Sequence, residues 1–156
     1  MMAITYCLTA QTIPAGDVQF AKEAAQSGML EVKLGELALK KAKSEDVKML
    51  GQHMVTDHTK ANKELMALAS KKAIKLPTTL SSEGQMSYDA LSKKMGSDFD
   101  KAYAMQMVKD HEKVVAKFKM ESGSGEDSDL KSWATKTLPT LEHHLMMSQE
   151  TDNKVK

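Results

Sequence analysis

Four stretches of the chain repeat apolar residues at alternating spacings of three and four, which is the period of one face of an α-helix. These stripes run from Phe20 to Ala38, from Val47 to Leu68, from Phe99 to Phe118 and from Leu130 to Ser148. Ala, Leu, Met, Lys and Glu dominate the composition, and all of them are strong helix formers. We therefore predict four long amphipathic helices that bury their apolar faces against one another.

Turn and capping residues separate the stripes. Ser44, Ser97 and Ser128 each stand before a stripe and are followed by acidic residues, which predicts N-caps for the second, third and fourth long helices. The weaker segment 81–95 predicts a short helix, and the Ser-Gly-Ser-Gly run at 122–125 predicts a loop.

The second connection, from about residue 72 to 97, is long enough to run the full length of such a bundle, and it carries the predicted short helix. A crossover of this kind favours a ferritin-like four-helix bundle over a simple up-down-up-down arrangement. We predict an all-α protein with a single bundle domain at 17–152, preceded by a flexible segment or signal remnant at 1–16. The sequence contains no apolar run that reaches the roughly 18 residues of a transmembrane helix.

Composition excludes several classes of function. All 22 basic residues are lysines, and the net charge is only +1. Because phosphate and guanine recognition rely on arginine and on a basic surface, no nucleic-acid partner is expected. The single cysteine, Cys7, excludes an intrachain disulfide and a Cys-x-x-Cys zinc site. The sequence also has no glycine-rich phosphate loop, Gly-x-Ser-x-Gly elbow or His-Glu-x-x-His motif.

Each apolar stripe contains one residue that is costly to bury in an apolar core. These residues are Glu31, His58, His111 and His144. Each lies about 13 to 15 residues into its predicted helix, which at 1.5 Å per residue is roughly 20 Å from the helix start. Antiparallel helices of similar length therefore bring the four side chains to one level in the middle of the bundle.

A divalent transition metal would satisfy the four side chains at once, since a buried carboxylate or imidazole is unfavourable without a partner. Three imidazoles and one carboxylate suit zinc, copper or iron, and we favour zinc. A second interpretation stays open, in which these side chains only hydrogen-bond to one another and fix the register of the helices. Two irons are not supported, because no Glu precedes His58, His111 or His144 by three positions.

Three further residues adjoin the predicted site. Asp57 and Asp110 each directly precede a stripe histidine, about 100° round the helix, where each could orient an imidazole or bind the metal directly. Tyr103 lies two turns before His111 on the same face and could hydrogen-bond to Glu31.

The methionines and the two remaining histidines of the predicted helices do not change the predicted ligand set. Met54 and Met107 lie on the stripes, and because thioethers bind Cu(I), a copper-handling interpretation stays open. Methionine also fills gaps in helical cores, which explains both residues without a metal. His53 and His143 fall outside the stripes and are expected at the surface.

Three strings carry a resemblance to a known bacterial family. They are GMLEVKLGELALKKAKSEDVKMLGQHMVTDHTKANKEL, SDFDKAYAMQMVKDHEKVV and LKSWATKTLPTLEHHL. They resemble the family catalogued as domain of unknown function 4142. The resemblance implies a ferritin-like four-helix fold in a periplasmic or secreted protein, often labelled an outer membrane protein, and it implies no established activity. The family's motif positions fall here on Glu31, Asp57, His58, Phe99, Asp100, Tyr103, His111, Pro139 and His144.

Three classes of function stay open. The first is a periplasmic or secreted metal-binding protein, with one mononuclear site for storage, buffering or sensing. The second is an envelope stress or scaffold protein whose hydrogen-bonded core layer holds no metal. The third is a mononuclear oxidoreductase or hydrolase, in which Glu31 stays off the metal, leaves a coordination position open and acts as a general base. The metal ion is the one partner that the pattern indicates.

Overall fold

The computed structural model describes residues 12–156, and this part of the chain is all-α, as predicted, with five helices and no strand. The helices are α1 (Ala15–Lys41), α2 (Glu45–Lys71), α3 (Ser82–Ser92), α4 (Gly96–Ser124) and α5 (Ser128–Val155). The four long helices form the bundle, and α3 is the short helix within the second connection. The bundle helices begin at Ala15 and end at Val155, and most of the predicted segment 1–16 lies outside the described residues.

The long helices pack as two hairpins, α1 with α2 and α4 with α5, and α1 also lies beside α4 while α2 lies beside α5. Hydrogen bonds at the hairpin turns show at which end of the bundle each helix starts. Asp100, near the start of α4, accepts the backbone N–H groups of Lys43 and Ser44 in the α1–α2 turn at 3.0 and 2.8 Å. Helices α2 and α4 therefore start at the same end of the bundle, and the connection between them crosses its full length.

The other end of the bundle is held in the same way. Asp17, near the start of α1, is buried and accepts the backbone N–H of Glu126 in the α4–α5 turn at 3.1 Å. Each hairpin turn is thus fastened by a carboxylate from the first helix of the other hairpin, which fixes the two hairpins relative to each other.

The crossover runs along α1. The side chain of Gln26 donates to the carbonyl of Thr79 at 3.0 Å and accepts the N–H of Ser81 at 2.7 Å, and Lys41 donates to the carbonyl of Ser92. Ser81 also caps α3, because its side chain accepts the N–H of Gly84. The segment therefore lies beside α1 from its middle to its end, where it contributes one wall of a cavity.

Two glycines allow α1 and α2 to approach closely. A Cβ atom at Gly35 would lie 2.7 Å from the carbonyl oxygen of Gly51, and a Cβ at Gly51 would lie 2.8 Å from the Cβ of Ala38. These distances are too short for real side chains, so the small residues set the separation of the two helices at this level.

The apolar core is divided into two clusters by a polar layer. One cluster, near the α4–α5 turn, contains Phe20, Ala21, Ala25, Leu65, Val114, Val115, Phe118, Leu130, Trp133, Ala134 and Leu141. The other, near the α1–α2 turn, contains Leu34, Leu37, Ala38, Ala42, Val47, Leu50, Met54, Leu91, Phe99, Tyr103 and Met107. Glu31, His58, His111 and His144 are buried between them, as their common depth predicts.

Several helix ends differ from the prediction. The N-cap of α4 is Met95 and not Ser97, and the N-cap of α5 is Asp127 and not Ser128. Asp127 takes this role because its carboxylate accepts two N–H groups of the first turn. Ser44 is the N-cap of α2, as predicted, but its side chain makes no capping hydrogen bond, and its backbone N–H donates to Asp100. The predicted loop at 122–125 is also wrong, because α4 continues through Ser124.

Candidate metal centre

The three stripe histidines meet in the middle of the bundle, one each from α2, α4 and α5. The ring centroids of His58 and His111 are 5.6 Å apart, those of His58 and His144 are 5.3 Å apart, and those of His111 and His144 are 5.4 Å apart. One ring nitrogen of each lies within 4.8 Å of a nitrogen of the other two. All three side chains are buried, with exposed fractions of 6% or less.

Hydrogen bonds fix which nitrogen of His111 and of His144 is free. Nδ1 of His111 lies 2.9 Å from the carbonyl oxygen of Met107, and Nε2 of His144 lies 2.9 Å from Oδ2 of Asp57. Because a carbonyl and a carboxylate only accept, these two nitrogens carry the protons. The remaining nitrogens, Nε2 of His111 and Nδ1 of His144, are therefore left with lone pairs.

Three buried ring nitrogens of the cluster lack a hydrogen-bond partner within the described part of the chain. Nε2 of His58, Nε2 of His111 and Nδ1 of His144 are buried, and none makes a hydrogen bond with any residue between 12 and 156. A buried nitrogen without a partner costs about 1–3 kcal/mol. Two of these nitrogens carry lone pairs, and all three belong to rings that pack against one another, so a metal ion that accepts lone pairs would supply the missing partner.

Burial keeps the imidazoles neutral. It lowers the pKa of His58 well below its ordinary value, and the neighbouring imidazoles of His111 and His144 add to this by repelling a further positive charge. Burial and the charge of His144 lower the pKa of His111 to about 4. Burial also lowers the pKa of His144, although Asp57 opposes that shift. Neutral imidazole is the form that binds metals, so the three rings are ready to bind at neutral pH.

The donor set fits a mononuclear site for a transition metal. Three neutral imidazole nitrogens suit copper, zinc and iron. Three protein ligands leave a coordination position open, whereas structural zinc sites use four. The carbonyl of Met107 and the carboxylate of Asp57 would orient two of the rings, as such partners do around metal-binding histidines.

Glu31, the predicted fourth ligand, is buried in the same layer but lies outside the group of the three histidines. Its Oε2 has no hydrogen-bond partner within the described part of the chain. Burial, and then the charge of Asp110, raise the pKa of this carboxyl well above its ordinary value. Glu31 instead borders an open cavity between α1, α3 and α4. Its role as a ligand stays a prediction.

The other expected neighbours have different surroundings. Tyr103 stacks on Phe99, with ring centroids 5.9 Å apart, and its buried hydroxyl has no partner among residues 12–156, so the expected hydrogen bond to Glu31 is not formed. Asp110 accepts a hydrogen bond from the amide of Gln106 at 2.6 Å and also borders the cavity. Asp57 is the acidic neighbour that orients an imidazole.

One partner of the site was missed by reasoning from the sequence. The sequence pattern points to the thioether of Met107, but its backbone carbonyl is the group that holds His111. The signal was available, because the backbone carbonyl four residues before a helical histidine lies on the same face. His53 and His143 are exposed, in agreement with their positions outside the stripes.

The fold and the site define a class, an all-α bundle with a buried cluster of three histidines. A family model described as Domain of unknown function (DUF4142) matches residues 8–151, and the chain therefore belongs to this family. No curated protein matches the sequence. None of the helices between residues 12 and 156 has the length and hydropathy that a membrane span requires.

Solved structures share the fold at low sequence identity. A crystal structure of a DUF305 fragment from Deinococcus radiodurans has a TM-score of 0.80 at 12% identity, covering 92% of this chain and 99% of the other. CopM in its Cu(II)-bound form has a TM-score of 0.73 at 16% identity, covering 90% and 97% of the two chains. CopM in its Cu(I)-bound form has a TM-score of 0.71 at 18% identity, covering 88% and 96%. At these identities the likeness establishes the fold alone.

Proposed function

We propose that this protein binds one copper ion through His58, His111 and His144. The observation that carries the proposal is the set of three buried ring nitrogens without hydrogen-bond partners among the described residues. A polar layer with a purely structural role would pair its donors with its acceptors. Here the two identified hydrogen bonds lead outward from the cluster, to Met107 and Asp57, and leave the ring nitrogens unpaired.

Copper is preferred over the zinc that the sequence favoured. A site of neutral nitrogen ligands binds Cu²⁺ more tightly than the other divalent ions of its series. Met54 and Met107 are fully buried one helical turn before His58 and His111, so polarizable thioethers lie on the same helix faces as two of the ligands and would favour Cu(I). The copper-bound forms of CopM support the same choice, since they are copper proteins of similar fold.

We further propose that the protein stores or buffers copper in the periplasm or outside the cell. This location rests on the family resemblance, whose members are often labelled outer membrane proteins. A site within an apolar core holds its ion away from solvent, which suits storage or buffering.

The test is copper binding to the protein and to matched histidine variants. After reconstitution with excess Cu²⁺ and removal of loosely bound ions, elemental mass spectrometry should find about one equivalent of copper. His58→Ala and His144→Ala should lose it. His53→Ala and His143→Ala remove exposed histidines from the same two helices and should retain it.

Two results would contradict the proposal. A wild-type protein that retains no copper after reconstitution would favour the scaffold interpretation, with a polar core layer that holds no metal. Equal loss of copper from the buried and exposed histidine variants would place the binding at the surface. Reconstitution with Zn²⁺ and Fe²⁺ under competition with Cu²⁺ ranks the three metals.

A second candidate is a mononuclear metalloenzyme, because three protein ligands leave a coordination position open and Glu31 borders a cavity that reaches solvent. The variant Glu31→Gln distinguishes a catalytic role of Glu31 from a role as metal ligand. Unchanged copper affinity with loss of a redox or hydrolytic activity would favour the enzyme with Glu31 as its base. Reduced affinity would make Glu31 the fourth ligand.

A further inference from the structure

An open cavity of about 450 Å³ lies between α1, the crossover and α4. Its lining includes Ser27 and Glu31 from α1, Ser87 from α3, and Asp110 and Val114 from α4. Glu31 belongs both to this lining and to the buried polar layer that contains the three histidines. The cavity therefore leads from solvent to the level of the proposed copper site.

Two carboxyl groups line the cavity, and one of them is buried without a partner among the described residues. Oε2 of Glu31 is buried and unpaired within the described chain, and its residue is only 1% exposed. Asp110 is half-buried and uses Oδ2 to accept from Gln106. The charge of Asp110 raises the pKa of Glu31, and the charge of Glu83 raises that of Asp110, although burial is the larger cause for both. The two carboxyl groups thus line the same cavity and raise the cost of each other's negative charge, which a cation bound there would offset.

Positive charge is confined to the rim of the cavity. Lys22, Lys113 and Lys117 line it but are exposed, and Lys117 is paired with Glu23. Because long exposed side chains can turn toward solvent, they do not block the floor, where the buried Glu31 stands. The electrostatic potential in the cavity therefore becomes more favourable to a cation from its opening toward Glu31.

We propose that Glu31 and Asp110 form a transient cation site through which the metal ion passes between solvent and the three histidines. This inference rests on the proposed function. Carboxylate oxygens are harder and weaker ligands for copper than imidazoles, so an ion held there exchanges readily and moves on to the nitrogen ligands. Asp110 directly precedes His111 on α4, which places the two sites in adjacent parts of the same helix. Asp57, on the α2–α5 side, is bonded to His144 and serves to orient it.

The test measures the rates at which Cu²⁺ enters and leaves the full-length protein. Quenching of the single tryptophan, Trp133, follows entry in a stopped-flow mixer, and its recovery after addition of excess EDTA follows release. Asp110→Asn should slow entry and release alike, each about tenfold, because a transit site speeds both directions. Equilibrium affinity should stay unchanged. Glu112→Gln, an exposed position two residues away on α4, removes the same charge outside the cavity and should alter neither rate.

A second variant tests the route without changing charge. Ser87→Phe places a bulky ring in the cavity from α3 and should also slow both rates at constant affinity. Unchanged rates in both cavity variants would overturn the transit site while leaving the histidine site intact. A lower affinity in Asp110→Asn would also overturn it, because Asp110 would then stabilise the bound ion and not its passage. Absence of any copper signal in the wild-type protein would overturn the proposed function itself.

Discussion

The hydrogen bond between Asp57 and His144 makes a sharp prediction for metal affinity. Oδ2 of Asp57 lies 2.9 Å from Nε2 of His144, and this contact holds the proton on Nε2 and leaves Nδ1 free to bind. In Asp57→Asn, the amide can donate to Nε2, which moves the imidazole proton to Nδ1. That tautomer blocks the ligand atom. The substitution thus disturbs His144 without touching the metal or removing any imidazole.

The expected loss of copper affinity in Asp57→Asn depends on how exposed the Asp57 carboxylate is. Loss of such an orienting partner lowers metal affinity by about 10- to 100-fold, or about 1.4 to 2.8 kcal/mol. The Asp57 side chain is 36% exposed. Because solvent weakens its interaction with the ring, and because asparagine can still accept through its oxygen, we expect a loss of about tenfold.

A chelator competition titration measures this loss. Wild-type protein and Asp57→Asn compete with a chromophoric chelator for Cu²⁺ at neutral pH. Asp46→Asn removes an acidic side chain near the start of the same helix and should bind as the wild type does. Equal affinity of Asp57→Asn and wild type, at the same stoichiometry, would refute the argument that this hydrogen bond prepares His144 as a ligand.

Two further predictions concern stability. Burial, and then the charges of Asp17 and Asp127, raise the pKa of Glu121 to about 7, so the folded state retains a proton that the unfolded chain loses near pH 4.5. Its contribution is complete below pH 4.5 and is lost as pH rises through 7. The full shift corresponds to about 3 kcal/mol and solvent screening reduces it, so Glu121→Gln should be more stable than wild type by about 2 kcal/mol at pH 8 and equal to it at pH 4, by urea unfolding. Asp100→Ala leaves two backbone N–H groups of the α1–α2 turn without their acceptor and should cost about 3 kcal/mol, whereas the exposed Asp98→Ala should cost under about 1 kcal/mol; equal midpoints in urea would contradict the role of Asp100.

The helices could be predicted from the period of their apolar residues. The polar layer could be predicted from the position of each polar residue along its helix. A spacing of three and four defines a buried face, and a common depth defines a level along the bundle. Helix ends depend on contacts that the local pattern does not contain. Serine is a common N-cap, yet the side chain of Ser44 makes no capping hydrogen bond. Its turn is instead held by Asp100 from another helix. Ser128 was predicted as the N-cap of α5, but Asp127, one residue earlier, caps the helix and also pairs with Lys72 from the end of α2 at 2.7 Å.

Glu31 lies at the same depth as the three histidines but has different neighbours, so depth along the bundle alone does not predict which residues form the site. Periodicity places a residue along the bundle axis, but the packing of the helices decides which neighbours it faces. Helix α5 packs against α2 and α4, the helices that carry His58 and His111, so His144 completes their group. Helix α1 packs against α2, α4 and the crossover, so Glu31 has the cavity and Asp110 on one side. The layer of four equivalent depths thus consists of a cluster of three histidines and a buried glutamate whose residue also borders the cavity beside the crossover.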